Sequence, residues 1–280
     1  MISNRGYRPA AALIAENETY SPAAEKMTEY LPDTNILIEF GRDAGVRSKL
    51  ENARQDGAVF RIGPPALIEL VRGVITGGGD YFLNNREVFI WLHTQGFEIL
   101  DLPRPFMAKI LRTSTPKQSD VEPMHYEQLI RMIANSADLG DFLRTSEMAG
   151  SAWKGIVRTD DIHRAELDRE LAALGHLAKR TRGQDLASML SKSFGAPGCR
   201  PNPLVLKVRF SAAIEFLESS LAKIRLGAKP WKNDRGLYVD FQLLHYLADS
   251  KITFLTKEDF SNEIMKSRQK SRIVGLDSPR

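Results

Sequence analysis

The sequence predicts an α/β protein in which helices cover both faces of a parallel sheet, with a long helical stretch set into the middle of the chain. Three observations predict it. From residue 27 to 113 short apolar runs of strand length alternate with helix-length patterns, from 114 to 227 only helical patterns follow, and from 228 to 280 the alternation resumes. Parallel strands need a crossover between them, most simply a helix, so this rhythm points to a parallel sheet. The return after residue 228 has two readings: a second small domain, or one α/β domain interrupted by an inserted helical subdomain. The insertion needs only one sheet.

Taken in order, residues 1–26 are rich in Ala, Asn, Glu and Pro without sustained periodicity and read as an extended, weakly ordered arm. A short strand through Tyr30 and Leu31 is expected to run into a helix starting at Thr34, with Asp33 at the junction where an N-cap belongs. A helix over Val46 to Arg54 leads to the strand Val59 to Ile62, and Pro64-Pro65 opens a helix through Val74. The run Gly77-Gly-Gly79 ends that unit. A helix from Tyr81 to Thr94, the strand Phe97 to Leu100 and a helix from Pro105 to Leu111 complete the first part. In the middle, helices are expected over Glu122 to Ala134, Asp161 to Lys179 and Leu206 to Ile224. The last part reads as a helix from Arg235 to Ala248, the strand Ile252 to Leu255, a helix after Asp259, and a closing strand Ile273 to Leu276.

With 280 residues, 42% of them hydrophobic and 26% charged, the chain can bury a core of ordinary size. Its apolar runs fall well short of the roughly 18 to 20 residues that span a bilayer. The island Ala10 to Ala15 is short and soon followed by Glu16 and Glu18, unlike a signal peptide. A cytoplasmic protein with no membrane partner is expected. The lone Cys199 cannot close an internal disulfide. His93, His125, His163, His176 and His245 lack zinc-ligand spacing, and Gly77-Gly-Gly79 lacks the lysine of a phosphate loop. Net charge is only +4, but between Ser151 and Lys232 there are 15 Lys or Arg against 8 Asp or Glu. Such a surplus suits a phosphate backbone or, more blandly, a solvated helix face.

Four segments each deliver a carboxylate from an apolar run. They are Leu31-Pro-Asp-Thr-Asn-Ile-Leu-Ile-Glu-Phe40, Pro64-Pro-Ala-Leu-Ile-Glu-Leu-Val71, Tyr238-Val-Asp-Phe-Gln-Leu-Leu-His-Tyr-Leu247 and Ile252-Thr-Phe-Leu-Thr-Lys-Glu-Asp-Phe260. A buried acid is costly unless it is paired, hydrogen-bonded or bound to a cation. Asp33 lies at the C-terminal end of a strand, where open parallel sheets place ligands, and is either a plain N-cap or a ligand. Asn35 and Thr34 stand ready to orient it. Glu69 has small neighbours one turn away and is either a ligand or an exposed acid paired with Arg72 at i+3. Asp240 shares its helix face with Leu237, Leu243 and Leu244, so a cation or strong donors are expected beside it. Glu258 and Asp259 follow Thr256 at another strand end; one is a ligand and the other a cap.

These segments, in this order, resemble the PIN-domain nucleases, the fold of VapC-type toxins. Asp33-Thr-Asn followed by an apolar run is similar to that family's opening motif, Leu67-Ile-Glu-Leu to its second, and the stretch from Asp240 to Thr256 and its acidic pair to its last. The resemblance covers residues 28–112 and 228–280 and implies a PIN-like α/β/α sandwich. It implies Asp33, Glu69 and Asp240 as core metal-site acids and Glu258 as the fourth, where the family more often carries Asp; Asp259 is the other candidate. Asn35 and Thr256 would support them. It further implies a Mg²⁺- or Mn²⁺-dependent endoribonuclease, with RNA as substrate and an antitoxin, another protein or a second copy of the chain as partner. Alternatives are a catalytically weak RNA-binding or interaction module, and a nuclease acting on DNA.

Overall fold

The computed structural model describes residues 28–113, 123–148, 153–177, 183–193, 200–225, 235–258, 260 and 263–276. The N-terminal arm, Cys199 and Asp259 lie outside these residues. The chain runs β1 (Glu29–Pro32), α1 (Thr34–Arg42), α2 (Ala44–Gln55), β2 (Val59–Ile62), α3 (Pro64–Thr76), α4 (Gly78–Gln95), β3 (Glu98–Ile99) and α5 (Pro103–Leu111). Seven more helices follow: α6 (Pro123–Asn135), α7 (Leu139–Met148), α8 (Trp153–Leu177), α9 (Gly183–Ser193), α10 (Pro203–Arg209), α11 (Ser211–Arg225) and α12 (Arg235–Leu244). A 3₁₀ turn at His245–Ala248, β4 (Ile252–Leu255), a second 3₁₀ turn at Lys270–Arg272 and β5 (Ile273–Val274) close the chain.

The five strands form one parallel sheet in the order β3-β2-β1-β4-β5. Glu29 and Tyr30 of β1 pair with Val59 and Phe60 on one side, and Glu29 through Pro32 pair with Ile252 through Leu255 on the other. The return after residue 228 is therefore to the same sheet and not to a second one. Leu31 in the central strand is wholly buried, as expected for a strand covered on both faces.

Three of the helices have a plain local cause. Asp33 caps α1, and Ile36, Leu37 and Phe40 give it one buried stripe. Helix α3 starts on Pro64 and Pro65, which suit a first turn because its N–H groups have no helical partner. Gly63 before it has no room for a side chain: a Cβ there would lie 2.7 Å from Leu243 Cδ2 on α12. Helix α4 ends on Gly96, whose φ of 64° is left-handed. Helix α1 contacts α2, α3 and α4, while α3 also contacts α8 and α12.

Described residues of the middle stretch share the hydrophobic core of the sheet. Tyr126, Leu129 and Ile133 of α6, and Phe210, Ile214 and Leu217 around α11, belong to the same hydrophobic cluster as Leu31, Phe60 and Phe254 of the sheet. Among the described residues α7 and α9 are helices that the periodicity did not reveal, and α8 begins eight residues earlier than expected. The expected helix from Leu206 to Ile224 is two helices, broken at Phe210. The expected helix after Asp259 is absent among the described residues there. Its reason is tertiary: Gln269 turns its side chain to Arg209 O at 2.7 Å, Leu247 O at 2.8 Å and Ala212 N at 2.9 Å, holding the segment as turns against its neighbours.

Candidate functional site

In a doubly wound sheet the crevice for a ligand opens where the strand order reverses, outside the C-terminal ends of the strands. Here β2 and β3 extend the sheet to one side of β1, and β4 and β5 to the other, so the reversal falls between β1 and β4. Asp33 follows β1, and Thr256 and Glu258 follow β4.

The two strand ends are stitched together by these side chains. Asp33 N–H donates to Leu255 O at 2.9 Å, holding the residue in the ladder before the chain turns into α1. Its Oδ1 accepts from Ile36 N–H at 2.7 Å and its Oδ2 from the Thr256 hydroxyl at 2.5 Å. Thr256 Oγ1 in turn accepts from Glu258 N–H at 3.0 Å. Asn35 Nδ2 donates to Glu258 Oε1, also at 3.0 Å. Only 2% of Asp33 is exposed. Its carboxyl is raised to about 6: burial is the largest cause, bonds from Thr256 and Ile36 oppose it, and the Glu258 and Glu69 carboxylates add to it. Three of the expected acids therefore share one electrostatic neighbourhood.

Glu69 is the partly exposed residue in a buried run: Ala66, Leu67, Ile68, Leu70 and Val71 around it on α3 are all buried. It lines a narrow cleft with Asp160, Asp161 and Arg164 of α8 and Tyr238 and Val239 of α12. Arg72, one turn beyond it, donates to Val157 O at 2.8 Å and pairs with Asp160 and Asp161, each at 2.9 Å. Burial raises the Asp160 carboxyl and the Arg72 guanidinium lowers it. Asp240 is partly buried on α12, which packs against α3, and its one-turn neighbours Leu237, Leu243 and Leu244 are buried.

Among the described residues no group of three or more His, Cys, Asp or Glu side chains stands in metal-ligating geometry. The carboxylates turn instead to hydrogen-bond partners: Asp33 to Ile36 and Thr256, Glu258 to Asn35. Their chemistry nonetheless fits a hard cation. Mg²⁺ and Mn²⁺ prefer oxygen donors, and Mg²⁺ takes only one or two protein carboxylates beside water and phosphate. Two features at this edge escaped the sequence reading. Glu39, one turn after Asn35 on α1, forms an ion pair with Lys257, beside Glu258. The acids of α8 reach the Glu69 cleft, for which the adjacent pair Asp160-Asp161 was the available signal.

No protein-family model, curated protein or solved structure matches the chain. No helix among the described residues is long and apolar enough to cross a membrane.

Proposed function

We propose that the chain is a Mg²⁺- or Mn²⁺-dependent ribonuclease of PIN-like architecture, with residues 114–227 as a helical insertion. The observation that carries this is the buried Asp33 at the β1/β4 reversal, hydrogen-bonded to Thr256 and within electrostatic reach of Glu258 and Glu69. A carboxyl held near 6 by burial and by like charges is the kind of group that a cation restores to its ionised form.

In this proposal Asp33, Asp240 and Glu258 would hold the ion, with Asp259 as the alternative to Glu258. Asn35 and Thr256 orient the carboxylates. Glu69 accepts the proton of the attacking water, because it stands at the edge of the set with part of its surface open to the cleft. When bound, the ion supplies positive charge that offsets the charge developing on the phosphodiester. The chain would act in the cytoplasm on RNA, with an inhibitory protein or a second copy as protein partner. One observation favours a second reading, an RNA-binding module with weak catalysis: both Asp33 oxygens already accept hydrogen bonds.

Melting curves with and without millimolar Mn²⁺, together with cleavage of RNA, single-stranded DNA and a chromogenic phosphodiester, test the choice. The nuclease predicts a higher melting temperature with Mn²⁺ and RNA cleavage that falls about a hundredfold or more in Asp33→Asn, since even residues behind a metal ligand commonly cost 10- to 100-fold. Cleavage of DNA alone would reassign the substrate. RNA binding without cleavage would select the module, and activity that survives Asp33→Asn would overturn the assignment of this edge.

A further inference from the structure

A cavity of about 510 Å³ opens beside the acids, at the C-terminal ends of β4 and β5. It has Thr256 and Glu258 in its wall, so it is continuous with the edge that holds Asp33. Its lining is otherwise of two kinds. Phe260, Ile264, Ile273, Val274 and Leu276 give an apolar floor, and Lys257 and Lys270 bring two cationic side chains to it. Thr256 N–H donates to Val274 O at 3.0 Å, which ties the two strand ends into one wall. Small-molecule sites are concave spaces of this size, mostly apolar, with a few polar groups that fix orientation.

On the footing of the nuclease reading, we propose that this cavity is a nucleotide subsite, taking the base and ribose next to the scissile phosphate of a single-stranded RNA. The chemistry matches part by part. A base offers two apolar faces to the Ile, Val, Leu and Phe floor, and a phosphate beside its ribose is an anion for Lys270, with Lys257, itself paired with Glu39, adding to the positive field. Continuity sets the place: a strand whose phosphate lies at Asp33 carries a neighbouring sugar and base past Thr256 and Glu258.

Gly275 supplies the test. It lines the cavity, its φ is not left-handed, and a Cβ there meets nothing within 4 Å, so a large side chain can fill the space without displacing backbone. Gly275→Trp and Lys270→Glu are compared with the full-length wild type in Mn²⁺, by calorimetric titration with adenosine 5′-monophosphate, with inorganic phosphate as control, and by kcat and KM on single-stranded RNA. Wild type is expected to bind the nucleotide more tightly than phosphate. Both variants are expected to lose that binding about tenfold and to raise KM about tenfold more than they lower kcat, as loss of uniform binding requires. Nucleotide affinity and KM left unchanged in both variants would overturn the subsite while leaving the nuclease standing. Absence of any Mn²⁺-dependent RNA cleavage by wild type, with nucleotide binding still lost in Gly275→Trp, would overturn the nuclease and leave a nucleotide-binding cavity.

Discussion

Two buried titratable residues oppose one another. Asp33 rises from 3.8 to about 6, so between pH 4 and 6 the folded state holds a proton that the unfolded state has released, and stability falls as pH rises through that window. His245 falls from 6.5 to about 4 because it is fully enclosed, with Nδ1 at 2.8 Å from Phe241 O and no partner for Nε2. Between pH 4 and 6.5 the unfolded state binds the proton instead, so this residue makes stability rise with pH. Each shift amounts to about 3 kcal/mol, since one pKa unit is about 1.4 kcal/mol. The two largely cancel in the metal-free wild type. Stability measured by urea unfolding with chelator present should therefore rise from pH 4 to 6.5 by about 3 kcal/mol more in Asp33→Asn than in wild type, and by about 3 kcal/mol less in His245→Gln. Equal slopes in wild type and Asp33→Asn would refute the account. The position of Asp33 was legible from its neighbours: an acid directly after a strand and before a helix-forming run has few other places to go. The bond to Thr256, 223 positions away, was not, because only the sheet order makes them neighbours.

At the scale of elements, the Arg72 clamp fastens α8 to α3. Its pair with Asp160 is poorly exposed, with 13% of the Arg72 side chain and 19% of the Asp160 side chain open to solvent, whereas Asp161 is more than half exposed. Removing one member of such a pair strands the other, at a cost of about 3–5 kcal/mol. Arg72→Met should therefore lower the melting temperature sharply, and adding Asp160→Asn should recover much of the loss; a double variant as unstable as the single one would place the damage elsewhere. The elements themselves were legible to the degree that local pattern governs them. Strands β2 and β4 match expectation to the residue, because compact apolar runs between turn residues leave little latitude. The break at Phe210 was hidden, since the first turn of α11 is met by Gln269, whose side chain accepts from Ala212 N–H. The same residue explains the missing helix after Asp259: a polar side chain that serves three distant backbone groups outweighs the propensity of its own segment.

At the scale of the whole molecule, one hydrophobic cluster runs from the sheet into the middle helices. Helix α6 packs on α4, and α11 on α12. A chain built this way should unfold in a single transition, with calorimetric and van't Hoff enthalpies in agreement. Residues 114–227 expressed alone should fail to give a cooperative transition. Two separated transitions, or a stable isolated fragment, would show that the middle stretch is an independent unit after all.

The strands at either side of the sheet, β3 and β5, are only two residues long. Glu98 on β3 is more than half exposed and carries charge at that border through its pair with Arg61. Sheets whose borders are long and flat recruit strands from other chains and seed fibrils, whereas brief, charged borders give an incoming strand almost nothing to zip onto. Crowded preparations of this protein are thereby expected to resist amyloid-type association, through the brevity of its outermost strands.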